Sequence, residues 1–171
     1  MSKNTRKITL MAILTAVALI IFIIEALIPI PVPVPGVKLG LANAVTLFAL
    51  FSNKKLTTLN VLAILLCRIL LGAIYIGRPI AILYSLAGGL LAFAAQVVMK
   101  KFVSEKQIWV CGAVGAVFHN IGQISAAVLI TGTPAIVIYL PVLMVAGIFT
   151  GVLTGIIAQF SLTRIKQQDT T

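Results

Sequence analysis

The sequence has little charge, and acidic residues are especially scarce. Of 171 residues, three are Asp or Glu and 9% are charged, whereas 61% are hydrophobic and the mean hydropathy is +1.19. A soluble domain of this length needs a larger polar surface than these residues can supply. The composition therefore predicts an integral membrane protein.

Several catalytic classes lack the residues that they need. The acids Glu25, Glu105 and Asp169 lie far apart, whereas metal-dependent diphosphate chemistry needs clustered carboxylates to hold magnesium. The cysteines Cys67 and Cys111 do not form a Cys-x-x-Cys pair, and no nucleotide-binding glycine loop is present. We therefore expect no enzyme, no metal and no cofactor in this chain, so any ATP hydrolysis belongs to partner subunits.

Apolar segments separated by short connections predict six membrane-spanning helices. Six spans of about 20 residues use about 120 residues, which leaves no room for a second domain. Residues 1–171 are therefore predicted to form one compact all-α bundle. The predicted spans are residues 8–27, 39–51, 57–76, 79–99, 108–130 and 135–162.

The basic residues lie between the spans and report topology. Ten of the thirteen fall in alternate connections, which places both termini in the cytoplasm by the positive-inside rule. Because they do not form one stripe, we expect no nucleic-acid partner. The ten are Lys3, Arg6, Lys7, Lys54, Lys55, Lys100, Lys101, Lys106, Arg164 and Lys166.

Polar residues within the spans converge on the outer half of the predicted bundle. Arg68 stands out, because an arginine at the centre of a lone helix in hydrocarbon costs on the order of 3 kcal/mol and needs a partner or a wet cavity. We therefore predict an outward-facing ligand site. Its candidate residues are Glu25, Asn43, Arg68, Tyr75, Tyr84, His119, Asn120 and Gln123, with Lys38 and Arg78 from outer connections.

Structural roles remain open for the same residues. His119, Asn120 and Gln123 can line one wall of a site, or they can hydrogen-bond across helices and hold the bundle together. Glu25 and Arg68 can form a buried ion pair. Alternatively, Arg68 offers its planar, permanently charged fork to a carboxylate or phosphate.

The first outer connection, residues 28–38, is rich in proline and otherwise apolar. Its residues Pro31, Pro33, Pro35 and Gly36 predict a stiff extended segment. We interpret it as a lid over the site; a linker resting on lipid headgroups is the alternative. The following span, residues 39–51, would reach only about 20 Å as a helix and should begin below the outer surface.

Two patterns of small residues predict close helix packing. Gly147, Gly151 and Gly155 form a repeated Gly-x-x-x-Gly motif for which internal packing is favoured. Ala12 and Ala16 form an Ala-x-x-x-Ala face, and their spacing alone does not distinguish internal from intersubunit contact.

Four segments together resemble one family. Residues 33–44, 68–72, 84–89 and 115–123 are similar to the Gx transporter family, also labelled heptaprenyl diphosphate synthase component I. This family is grouped with the substrate-binding S components of energy-coupling factor (ECF) transporters of bacterial cell membranes. The resemblance implies a six-helix, S-component-like fold, a transmembrane coupling subunit and two ATPases as partners, and a partner-facing role for Ala12 and Ala16. It also implies a gate at residues 30–36.

Three functions follow for this multi-pass membrane protein. The first is an S component of an ECF-type importer that captures a small amphipathic or anionic molecule, such as an isoprenoid or a vitamin-like compound. The alternative is an accessory membrane subunit of heptaprenyl diphosphate synthase or another isoprenoid or quinone pathway enzyme. The third is a structural or redox-complex subunit without a ligand.

Overall fold

The computed structural model describes residues 2–28, 40–52, 56–77 and 79–168, and within these ranges the chain is helical with no strand. Two 3₁₀ segments, Glu105–Gln107 and Pro134–Tyr139, precede the last two helices. The six α-helices are α1 (Lys3–Ala26), α2 (Asn43–Phe51), α3 (Thr58–Ile76), α4 (Pro79–Met99), α5 (Ile108–Thr131) and α6 (Leu140–Gln168).

The all-α fold is confirmed, and several of its helices are suited to cross a membrane. Five of those described, α1 and α3 to α6, are long and apolar enough to cross a membrane. The second, α2, has 9 residues, so at about 1.5 Å per residue it covers less than half of the hydrocarbon core. The prediction of an all-helical bundle with several possible membrane spans is thus confirmed, and α2 is a short helix held among the other five.

The sixth helix differs from its predicted bounds of 135–162. Residues Pro134–Tyr139 form a 3₁₀ segment and α6 begins at Leu140. Pro141 explains this start, because a residue without an N–H group is tolerated in the first turn of an α-helix but removes a hydrogen bond from its interior. At the other end α6 continues to Gln168, where Lys166 Nζ lies 2.5 Å from Glu105 Oε2.

Glycines bring α6 close to α5. A Cβ atom at Gly151 would lie 2.5 Å from the carbonyl oxygen of Gly112, and one at Gly155 would lie 2.5 Å from Trp109 Cα. These distances are too short for any side chain, so the Gly-x-x-x-Gly motif serves internal packing, as predicted. Helix α5 also packs extensively on α4, whereas α1 packs mainly on α3.

The last turn of α2 meets the end of α4. Lys100 Nζ donates to the carbonyl oxygen of Leu50 at 2.6 Å and lies 5.8 Å from the centroid of the Phe51 ring. A cation at the carboxyl end of a helix satisfies a carbonyl group that has no partner within the helix. Together with the Lys166–Glu105 contact, this defines the basic end of the bundle, where α2, α4 and α6 finish and α5 begins.

Candidate ligand-binding site

Five of the predicted site residues are buried in one region, away from the basic end. They come from the end of α1, the start of α2, the middle of α3 and the middle of α5. We name this group the polar cluster: Glu25, Asn43, Arg68, His119 and Gln123, each less than 9% exposed.

Asn43 is the centre of the polar cluster. Its Oδ1 accepts from Arg68 Nη2 at 3.2 Å, and its Nδ2 lies 3.1 Å from His119 Nδ1. Because the amide oxygen faces a donor-only guanidinium, the amide nitrogen donates to His119, and the imidazole proton belongs on Nε2. One side chain at the start of α2 thus joins α3 to α5.

Gly40 closes the cluster beside Glu25. Its backbone N–H donates to Glu25 Oε1, and its φ of +83° favours glycine. A Cβ atom here would lie 2.9 Å from His119 Cδ2 and 3.0 Å from Asn43 Nδ2. A side chain at residue 40 would therefore displace two members of the cluster.

Gly88 on α4 makes room for the α5 residues of the cluster. A Cβ atom at Gly88 would lie 2.8 Å from Gln123 Cγ and 2.9 Å from His119 Nδ1. His119 and Gln123 therefore lie on one face of α5, and this face packs directly against the glycine.

Arg68 lies on an aromatic ring. Its Cζ is 5.6 Å from the centroid of the Phe22 ring, a geometry in which the ring face attracts the cation. Phe22 also fills the space beside Gly72, where a Cβ atom would lie 2.7 Å from Phe22 Cδ1. The space beside Gly72 is therefore occupied by the Phe22 ring.

Glu25 and Arg68 do not form a direct salt bridge in the part of the chain that is described. The Glu25 carboxylate accepts from Gly40, and Arg68 donates to Asn43. The buried ion pair left open by the sequence is therefore not the arrangement in this structure, although the two charges belong to the same cluster.

Two donor nitrogens of the cluster have no hydrogen-bond partner among the described residues. They are Arg68 Nε and His119 Nε2, on side chains that are 3% and 4% exposed. An unsatisfied buried polar group costs about 1–3 kcal/mol. An oxyanion accepts from both kinds of N–H group, so these nitrogens are the atoms best suited to contact an anionic ligand.

Three predicted site residues lie elsewhere. Asn120 Nδ2 donates to the carbonyl oxygen of Leu143 on α6 at 2.5 Å, which is the helix-joining role left open above. Tyr84 is buried in an apolar group with Ile124 and Leu143. Tyr75 is 68% exposed on the surface of α3.

Other predictions concern residues outside the described ranges. These residues are Lys38 and Arg78 of the site, and Pro31, Pro33, Pro35 and Gly36 of the proposed gate.

A small cavity lies beside Asn43. Its volume is about 10 Å³, and it is lined by Gly40, Asn43, Gln96 and Thr154, among others. This is room for about one water molecule.

Comparison with known families identifies the chain at the family level. The family model for heptaprenyl diphosphate synthase component I matches residues 14–161. The chain belongs to this family. No curated protein and no solved structure matches the chain. The heptaprenyl diphosphate synthase component I label predicted from four segments is confirmed, and the relation to ECF S components stays a prediction.

The match to the heptaprenyl diphosphate synthase component I family covers every residue of the polar cluster. Ala16 also lies within it, whereas Ala12 precedes it. Both alanines are exposed on α1, as a partner-facing surface requires, and their role stays a prediction.

Three residues of the site were not predicted from the sequence of this family member. They are Phe22, Gly40 and Gly88. Gly72, four residues after Arg68, was a signal for Phe22, since a glycine on that helix face admits a ring from a neighbouring helix. No spacing linked Gly88 to His119, because the two residues lie on different helices.

Proposed function

We propose that this chain is the membrane subunit of a heptaprenyl diphosphate synthase, that it binds a diphosphate-class anion at the polar cluster, and that prenyl condensation takes place in a partner subunit. One observation carries the ligand part of this proposal: among the described residues, the Nε atom of the buried Arg68 guanidinium has no hydrogen-bond partner. Family membership supports the enzyme complex. We therefore favour an accessory subunit of the synthase over a substrate-binding subunit of an importer.

The polar cluster suits an anion better than a cation. Arg68 presents a planar set of donors that matches phosphate oxygens, and it remains charged when buried. His119 adds a second donor at Nε2, since Nδ1 accepts from Asn43. Diphosphate is the group that prenyl donors carry and that prenyl condensation releases, so it is the anion most relevant to such a complex.

The condensation itself is assigned to a partner because of how the acids are placed. Glu25 holds Gly40, and Glu105 is bound to Lys166 at the basic end. Asp169, the remaining acid, is distant in sequence from both. A magnesium-diphosphate centre needs several convergent carboxylates, which a partner subunit would supply.

Copurification tests the complex. The full chain is isolated from its native membranes in mild detergent, and the proteins that accompany it are identified by mass spectrometry. We expect a prenyl synthase subunit, and we expect that adding this chain back raises the product yield of that subunit. Arg68→Ala should lose the stimulation, whereas Arg164→Ala, a variant of an exposed arginine on α6, should keep it.

An S component of an importer is the second candidate. The observation that favours it is the exposure of Ala12 and Ala16 on α1, where close contact with another helix is available. The same purification separates the candidates. Recovery of a transmembrane coupling subunit with two ATPases, without a prenyl synthase, would overturn the proposal and support import.

A further inference from the structure

An apolar groove runs along one side of the bundle, away from the polar cluster. Its volume is about 250 Å³. Its walls come from α1 and α6, and its floor comes from α2. We name it the lateral groove; it is lined by Leu14, Val17, Ile21, Ala44, Val45, Phe48, Ile157, Ala158, Ser161 and Ile165.

The short α2 creates this groove. Helix α1 packs mainly on α3, α6 packs mainly on α5, and α2 lies between them. With 9 residues, α2 is too short to fill the space between two helices that cross the whole membrane. The gap lies between two helices that are long and apolar enough to cross a membrane, so we expect a chain-like apolar molecule to enter it sideways from the bilayer.

Basic residues stand at one mouth of the groove. On α1, Lys7, Leu14 and Ile21 are spaced at seven residues and therefore share one helix face. Lys7 lies about 10 Å along the axis from Leu14, and Arg6 is adjacent and exposed. A molecule with its chain in the groove would thus place its head group near two cations.

We propose that the lateral groove holds the isoprenoid chain of a prenyl diphosphate, with the diphosphate at Lys7 and Arg6. This inference rests on the proposed function, because the family label supplies the prenyl diphosphate class. The groove gives the chain a branched apolar surface from Val17, Ile21 and Ile157. The two bases match the charge of a diphosphate better than that of a phosphatidylcholine headgroup, which has no net charge.

Photo-crosslinking tests this inference. The full chain in phosphatidylcholine nanodiscs is irradiated with geranylgeranyl diphosphate that carries a diazirine on its terminal isoprene unit. Labelled peptides are then located by mass spectrometry. We expect labels on α1 and α6 at the groove, and we expect unlabelled geranylgeranyl diphosphate to compete. Equal competition by phosphatidic acid would show a general lipid site and would overturn the inference.

Two valines provide a matched pair of variants. Val17 lines the groove and is 42% exposed, whereas Val145 on α6 is 57% exposed and is not part of the lining. Val17→Trp should fill the groove and reduce groove labelling by about tenfold or more, because the indole would occupy the space that the isoprenoid chain needs. Val145→Trp should leave it unchanged. Unchanged labelling in both variants would overturn the inference.

A second pair of matched variants tests the basic residues at the end of the lateral groove. Lys7→Gln should reduce groove labelling by about fivefold, which corresponds to the loss of one basic residue near a charged surface. Lys101→Gln, a variant of an exposed lysine at the end of α4, should have no effect. Equal labelling of the two variants would contradict the position assigned to the head group.

The lateral groove and the proposed function can fail separately. If groove labelling is absent while a prenyl synthase copurifies and responds to Arg68→Ala, only the groove is wrong. If labelling occurs but the chain neither copurifies with nor stimulates a synthase, the proposed function is wrong and the groove is a site for prenyl lipids outside that complex.

Discussion

The polar cluster and the lateral groove use the same two helices in opposite ways. At the polar cluster, α1 and α2 supply Glu25 and Asn43, which hydrogen bonds connect to neighbouring segments. At the lateral groove, the same helices supply Val17 and Val45, whose apolar side chains line a space between α1, α2 and α6. The difference shows that one short helix can fix a buried polar network at its start and leave an apolar opening along its side.

The largest expected change in stability is at Gly40, which lies beside the polar cluster, and it is compared with the change at a glycine in an ordinary turn. Gly40→Ala should lower the free energy of unfolding by about 2–5 kcal/mol, because a left-handed backbone and an overpacked site are both unfavourable for alanine. Gly77→Ala is the matched control: its φ is +66° and nothing lies within 4 Å of a Cβ atom there. Thermal unfolding in detergent should show a clearly smaller loss for Gly77→Ala, and equal losses would contradict the packing described at Gly40.

The next effect tests the centre of the cluster. Asn43→Ala removes the partner of Arg68 Nη2 and of His119 Nδ1, and should cost about 2–4 kcal/mol of unfolding free energy. Asn60→Ala on α3 is the control, since Asn60 Nδ2 has no hydrogen-bond partner among the described residues. Chemical denaturation of both variants measures the difference. A similar stability for the two would show that the Asn43 network contributes nothing.

A smaller effect compares two arginine–phenylalanine pairs. Phe22→Leu should cost about 1–2 kcal/mol, because the guanidinium of Arg68 is desolvated over the ring. Phe160→Leu should cost about 0.5 kcal/mol, because the Arg164–Phe160 pair, with Cζ 5.0 Å from the ring centroid, is exposed. Thermal unfolding of the two variants decides whether burial, rather than distance, sets the strength.

The smallest effect belongs to the lateral groove. Val17→Trp should change the free energy of unfolding by no more than about 0.5 kcal/mol, because this position is partly exposed and lines an open groove that can accept a larger side chain. The measurement is thermal unfolding beside Val145→Trp. A loss as large as that of Asn43→Ala would show that the groove is part of the packed core and is not open to the bilayer.

Local sequence signals predicted the helices and part of the cluster. The apolar segments located α3, α4 and α5 within a few residues, since length and hydropathy define a span. Glu25 and Arg68 were assigned to one predicted site because both lie in the outer half of the predicted bundle. The rotation of each helix could not be predicted, because neighbouring residues differ by about 100° and the facing helix is unknown. His119 therefore faces the cluster, while Asn120 faces α6.

The lateral groove was not predicted at all. Its floor depends on the length of α2, which begins at Asn43 rather than Leu39, and its walls depend on which helices do not pack together. Neither property is encoded in one segment. Tyr75 lies outside the polar cluster for a related reason: its depth suggested a site residue, whereas its side chain is exposed on the surface of α3.

Diphosphate binding tests the ligand site most directly. Inorganic diphosphate is titrated into the full chain in nanodiscs, and the affinity is compared between the unmodified chain, Arg68→Ala and Arg164→Ala. The account predicts that Arg68→Ala weakens binding by about tenfold or more, as expected for a lost hydrogen bond to a charged group, whereas Arg164→Ala binds normally. Equal affinity for all three would contradict a ligand site at Arg68.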